Sequence, residues 1–159
     1  MEIVSQNLKD TVLLRSFGIF KIPLLAFTNP SVISSSSDHM EVRIPLNRWT
    51  RNHLRSMYFG ALAIGADTAV GLLATKKIRQ SGMKISLVFK DFQADFLKRA
   101  EGHVHFFCKE GALIDEMISE CLETKERVTR PIKGYAVVPS IETEPVAEFT
   151  LSLSLKLKE

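Results

Sequence analysis

Asp67 is the only acidic residue between Glu41 and Asp91, and it follows Gly60 by seven positions inside an almost uninterrupted apolar stretch, Met57 to Ala74. That spacing has a chemistry. If Gly60 opens a helix, the first N–H groups there lack an intrahelical acceptor and carry a partial positive charge. A glycine lets a substrate oxygen approach that backbone closely, and such donors stabilise a developing oxyanion. A carboxyl group lodged among apolar neighbours is expected to keep its proton to higher pH, which suits a general base. Seven helical residues span about 10 Å and end on nearly the same face, too far for one reacting carbon to lie about 3 Å from both groups. A two-fold axis that sets two such helices antiparallel would bring Asp67 of one chain beside Gly60 of the other. A homodimer is therefore expected, with dimer against tetramer left open.

Each of these residues also has a plain structural reading. Asp67 could be a buried carboxylate hydrogen-bonded to backbone or to Asn52. Asn52 could be a turn or capping residue, and Gly65 and Gly71 could serve only close helix packing. His103 and His105 share one strand face, but no third ligand stands at a suitable spacing, so no metal is expected. Cys108 and Cys121 fall on apolar faces as core thiols, too few for a disulfide framework and consistent with a reducing, cytoplasmic setting.

Elements must position this chemistry. Leu8, Val12, Leu13, Phe17 and Phe20 recur at helical spacing over about 6–20. Pro23 and Asn29-Pro30 then lead into extended chain. Val32-Ile33 and Met40 to Ile44 predict a strand pair, closed by Pro45. A basic loop, Asn47 to Ser56, precedes one long apolar helix at about 57–80, which Ser81-Gly82 stops. Ile85, Leu87 and Phe89 then alternate with polar residues, as do Val104, Phe106 and Cys108. An amphipathic helix follows at about 112–127, and strands at about 128–138 and 147–158 close the chain. Alternating strands have one dry face, and only the central helix is apolar enough to cover it. The expected class is α+β, with an antiparallel sheet against that helix.

The chain has 159 residues, the size of a single domain spanning 1–159. Its apolar share of 45% and charged share of 25% exclude disorder. A net charge of +3, without a basic recognition helix or an aromatic platform, gives no reason to expect nucleic acid. The stretch Met57 to Ala74 is about long enough to span a bilayer, but Asp67 stands at its middle and basic residues flank both ends, so no membrane is expected. The first residues, Met1 to Ser5, show no leader pattern.

Asn52 to Asp67, N-H-L-R-S-M-Y-F-G-A-L-A-I-G-A-D, resembles the signature of the hotdog-fold thioesterases, in particular the phenylacetyl-CoA thioesterase-like group and its relatives of unassigned function. Their pattern is a loop Asn, a His-Gly-Gly or similar turn opening the central helix, and an Asp or Glu two helical turns later. Asn52, Phe59-Gly60-Ala61 and Asp67 match those intervals, and the Ile44-Pro45-Leu46 strand end and the two additional helices are similar as well. The resemblance implies a hotdog fold, with the sheet wrapped around the central helix, and a homodimer with sites at the interface. It implies hydrolysis of an acyl-CoA or acyl-carrier-protein thioester without a cofactor. Gly60 would hold the oxyanion, the partner subunit's Asp67 would act as base or nucleophile, and Asn52 would orient water or substrate. His53, Phe59 and Ala61 would line the substrate site. The chain departs from the pattern in carrying Phe59 where many relatives have His, and Ala61 for the second glycine. A hotdog module that binds acyl-CoA without hydrolysing it is the alternative, and a hydratase, which would need a His paired with the helix acid, is a third reading.

Overall fold

The five apolar residues that alternate along Phe149, Leu151, Leu153, Leu155 and Leu157 make β6, Pro145–Leu157, the strand on which half of the sheet is built. In the computed structural model, which describes residues 2–159 and side chains from Gln6 onward, β6 lies between β5 (Val128–Val137) and β3 (Ile85–Phe96). Met1 and the side chains up to Ser5, and with them the reading of the N-terminus, lie outside the described residues. The other half of the sheet holds β1 (Ser31–Ser35), β2 (Met40–Ile44) and β4 (Val104–Cys108). The order is β1-β2-β4-β5-β6-β3, and every pairing is antiparallel. One face is dry: Met40, Val42, Ile44, Val104, Phe106, Cys108, Leu151, Leu153 and Leu155 are all buried.

The covering layer is α3, Phe59–Ser81, which ends at Gly82 in the left-handed conformation (φ 71°). One stripe of α3, including Ala66, Ala69, Val70, Leu73 and Ala74, is buried against β2, β4 and β5. Gly65 on that stripe lets the Phe106 ring lie directly on the helix backbone. Connecting β2 to β3, α3 carries the chain from one half of the sheet to its far edge. A second helix, α4 (Gly111–Thr124), packs on β5, β6 and α3. Buried Lys77 of α3 reaches Asp115 of α4 at 2.6 Å, and Arg130 of β5 pairs with Glu120. An antiparallel sheet curled around one apolar helix is the hotdog arrangement, as expected. By length and composition α3 could cross a membrane, but half of its apolar window is buried in this fold.

Three features differ from the sequence reading. The segment after Pro23 is a short helix, α2 (Pro23–Phe27), with proline at its start, where a missing N–H is no loss. β3 runs on to Phe96, because an irregularity at Lys90-Asp91 switches which residues face inward: Phe89 opposes Leu153, but Phe92 opposes Leu151. The N-terminal helix α1 (Glu2–Lys21) does not dock by its spaced apolar residues; Leu8, Val12, Leu13, Phe17 and Phe20 are all at least half exposed. It docks by Thr11, Leu14 and Gly18. The Val32 N–H donates to Thr11 Oγ1 at 2.9 Å, Asn7 Nδ2 donates to the Ile33 carbonyl at 2.7 Å, and Arg15 Nε donates to the Pro30 carbonyl at 2.9 Å. These bonds occupy the outer edge of β1, which an uncovered strand would offer to another chain. At the opposite edge of the sheet, β3 carries no such cover among the described residues.

Candidate active site

Gly60 and Asp67 both lie on the stripe of α3 that the sheet leaves uncovered, with Ala63, Ile64, Gly71, Thr75 and Arg79. At its start, Ala61 and Leu62 donate their N–H groups to the Tyr58 carbonyl at 2.9 and 3.1 Å. The N–H groups of Phe59 and Gly60 have no acceptor among the described residues, and no side chain caps the helix. Two donors therefore face outward where the helix dipole is positive. Beside them is a cleft of about 550 Å³, bounded by Asn52, His53, Phe59, Phe96 and Arg99. Tyr58, Phe59 and Phe96 form an aromatic rim, with ring centroids 4.9 and 6.4 Å apart for successive pairs.

The preceding loop is a built one. Asn52 Oδ1 accepts from the Leu54 and Ser56 N–H groups at 2.9 and 3.2 Å, and Asn52 Nδ2 donates to Ser56 Oγ at 3.1 Å. The turn reading of Asn52 is thus realised, with one Nδ2 hydrogen left over. The Met57 N–H donates to the Ala100 carbonyl and the Tyr58 N–H to the Thr50 carbonyl, both at 2.8 Å, which fixes the helix start. His53 stands exposed on the cleft wall. Ala61 is buried and belongs to the core.

Asp67 is not buried, contrary to the expectation from its neighbours in sequence; it is exposed on the uncovered stripe. It makes no hydrogen bond or ion pair among the described residues. A largely apolar hollow formed by Ala63, Ile64, Phe89, Phe92 and Leu151, with Lys90 and Asp91 also in its lining and open towards β3, takes it part-way out of water. That partial desolvation pushes its carboxyl above the usual aspartate range. The structure therefore brings Asn52, His53 and Phe59 together at one cleft, with Gly60 next to Phe59 in the helix, and places Asp67 two turns further along on the uncovered stripe.

Elsewhere, His103 Nδ1 accepts the Leu46 N–H at 2.9 Å and His105 Nδ1 lies 2.6 Å from Glu41 Oε1, so both rings have structural partners. Lys98, at the cleft, is held by Glu142 and Glu144 at 2.7 and 3.0 Å, which raises its pKa. Phe96 and Arg99 were not among the expected site residues, since they come from the part of the chain beyond the switch in β3.

The family described as "Domain of unknown function (DUF4442)" matches residues 11–129, from α1 to the start of β5. This chain belongs to it. No curated protein matches the DUF4442 chain in sequence. Solved structures match its fold. A protein of unknown function from Chlorobaculum tepidum superposes with a TM-score of 0.79 at 15% identity, covering 93% of this chain and 94% of that one. A Pseudomonas aeruginosa protein described as a probable thioesterase gives 0.76 at 20% identity, covering 93% and 96%. A thioesterase from Haemophilus influenzae gives 0.63 at 12% identity, covering 84% and 82%. The DUF4442 chain thus has hotdog-fold thioesterases among its structural neighbours.

Proposed function

We propose that this chain is an acyl thioesterase that works as a homodimer paired edge to edge along β3. The observation that carries the reading is the unpartnered Asp67 carboxylate in an apolar hollow on the same uncovered stripe as the free N–H groups of Phe59 and Gly60. An antiparallel pairing of two β3 strands reverses one relative to the other. It therefore sets the hollow of one subunit, at Phe89 to Phe92, against the helix mouth of the other, at Phe96. β1 is unsuited to this role because α1 occupies its edge.

In such a site the Gly60 N–H donates to the thioester carbonyl oxygen. The partner subunit's Asp67 takes a proton from water, and the oxygen of that water attacks the carbonyl carbon. The resulting oxyanion is held by the helix N-terminus. It collapses with cleavage of the C–S bond, and the leaving thiolate takes up the proton that the partner's Asp67 received, which restores the carboxylate. Asn52 holds the turn and offers its remaining Nδ2 hydrogen to water or substrate. His53 and Phe59 line the cleft, with Ala61 supporting the helix start from behind. Arg99 in the cleft wall, and Arg51 and Arg55 in the loop that carries Asn52 and His53, are exposed cations that would suit the phosphates of CoA. The spacing from Asn52 to Asp67 supports a relationship to the phenylacetyl-CoA thioesterase-like group, with a carrier-protein thioester as the other form of substrate.

Release of free CoA from a panel of acyl-CoAs, by wild type and Asp67→Asn side by side, tests this. Turnover lost in the variant is the expected result, and turnover retained in it overturns the mechanism. Phe59, in place of the histidine of many relatives, favours a second reading, an acyl-CoA-binding module. Thermal stabilisation by acyl-CoA without product release would establish that reading instead.

A further inference from the structure

Asp67 borders two hollows. One opens at β3. The other, a groove of about 420 Å³, lies between α1–α2 and α3, and both contain Phe89. Its floor is the uncovered stripe of α3: Asp67, Gly71, Thr75 and Arg79. Its walls are Leu13 and Phe17 of α1, Ile22 and Leu25 around α2, and Leu87 and Val88 of β3. The carboxylate therefore stands at the head of an apolar channel that runs along α3 from Asp67 to Arg79.

The features of the channel restrict what fits it. Between Asp67 and Arg79 it presents no free charge, and Thr68 Oγ1 is already committed to the Ile64 carbonyl at 2.7 Å. A peptide lying there would leave backbone groups without partners, whereas an aliphatic chain has none to satisfy. Gly71, at the first turn beyond Asp67, is not required by packing: a Cβ there would find only the Phe89 ring, at 3.7 Å. Its missing side chain widens the groove. From Asp67 to Arg79 the helix rises about 18 Å. With C–C bonds of about 1.5 Å advancing about 1.25 Å each in a zigzag, that length takes about fourteen carbons.

We infer that the groove between α1–α2 and α3 is the acyl channel, and that the substrate is a thioester of an unbranched aliphatic chain of about twelve to fourteen carbons. This rests on the thioesterase reading for the position of the carbonyl at Asp67, and goes beyond it in naming the acyl group. It also gives the half-exposed Leu13 and Phe17 a role as the outer wall.

The test is a chain-length series of butanoyl-, hexanoyl-, dodecanoyl- and hexadecanoyl-CoA with wild type, Gly71→Phe and Leu13→Asp. The last places a charge in the wall from an exposed helix position and so spares the core. For wild type, kcat/KM should climb to dodecanoyl, by up to about fourfold for each methylene buried. Gly71 is one turn, about 6 Å, from Asp67, so Gly71→Phe should cut the climb off beyond hexanoyl. Leu13→Asp should weaken the long chains selectively. A wild-type preference for butanoyl overturns the channel, as does a chain-length profile that neither variant changes. If wild type hydrolyses nothing, displacement of a fluorescent fatty acid by free fatty acids of the same lengths decides the channel alone. Long-chain binding lost in Gly71→Phe keeps the channel while the thioesterase reading falls. Binding that is absent, or unchanged by Gly71→Phe, overturns the channel.

Discussion

The Phe106 ring lies so close to Gly65 that a Cβ built on that glycine would stand 2.2 Å from the ring. Phe106 is 1% exposed and has nowhere to retreat. Gly65→Ala should therefore destabilise the fold by about 1–3 kcal/mol through overpacking. Gly71→Ala should have the opposite sign, since its methyl makes only ordinary contact and helical alanine is favoured over glycine by about 0.5–1 kcal/mol. Urea unfolding of the two variants against wild type measures both, and a shared sign would contradict the packing described for α3.

The proposed mechanism sets activity against stability at Asp67. Desolvation raises its pKa in the folded chain, whereas an unfolded aspartate titrates near about 3.9. Between those two values the folded state holds more protons than the unfolded one. Stability contributed by this group is therefore full below the unfolded pKa and lost as pH rises through the folded one. Asp67→Asn, which cannot ionise, should match wild type in acid and exceed it in stability at neutral pH, while losing turnover. Denaturation midpoints of both proteins across the acid-to-neutral range check this; a variant less stable at neutral pH would show that Asp67 is a structural carboxylate.

The proposed sharing of sites between subunits predicts complementation. Asp67→Asn lacks the proposed base, and Gly60→Val crowds the Tyr58 ring and obstructs the proposed N–H donor. Mixed after unfolding and refolding together, half of the dimers should be hybrids with one intact site each. Recovery should then approach about one quarter of wild-type activity. Two inactive parents whose mixture stays inactive would place both groups within one subunit.

Burial pushes the Cys108 thiol up to about 11, and both Cys108 and Cys121 are buried and free. A thiol with so little thiolate and no access should resist iodoacetamide at neutral pH. Mass spectrometry should find neither cysteine alkylated in the native protein and both alkylated in denaturant. Rapid native labelling of Cys108 would mean that the sheet opens at β4.

Much of this architecture was legible because single elements carry unmixed periods. The alternation from Phe149 to Leu157 and the apolar run of α3 each allow only one assignment. β3 was legible only to Phe89, since the irregularity at Lys90-Asp91 moves Phe92, Ala94 and Phe96 onto the opposite parity. The α1 residues recur at helical spacing but flank the polar face that reaches β1, and periodicity does not say that Thr11 and Arg15 would dock the helix. At the site, the spacing of Gly60 and Asp67 located both on one stripe. The groove under α1 was not legible, because it is made by four segments that meet only in the folded chain.

The position of β3 also sets a timetable. Its one hydrogen-bonded neighbour is β6, with Ile85 opposite Leu157. During synthesis β3 leaves the ribosome well before that partner, and at about 5–20 residues per second it waits on the order of 3–12 s for it. For that interval Ile85, Leu87 and Phe89 have no strand to pair with, which makes this segment the point where a chaperone or a misdirected contact would intervene. The strand proposed to join two subunits is also the one that must wait longest to join its own sheet, so the edge it would offer a partner is complete only once β6 has been made.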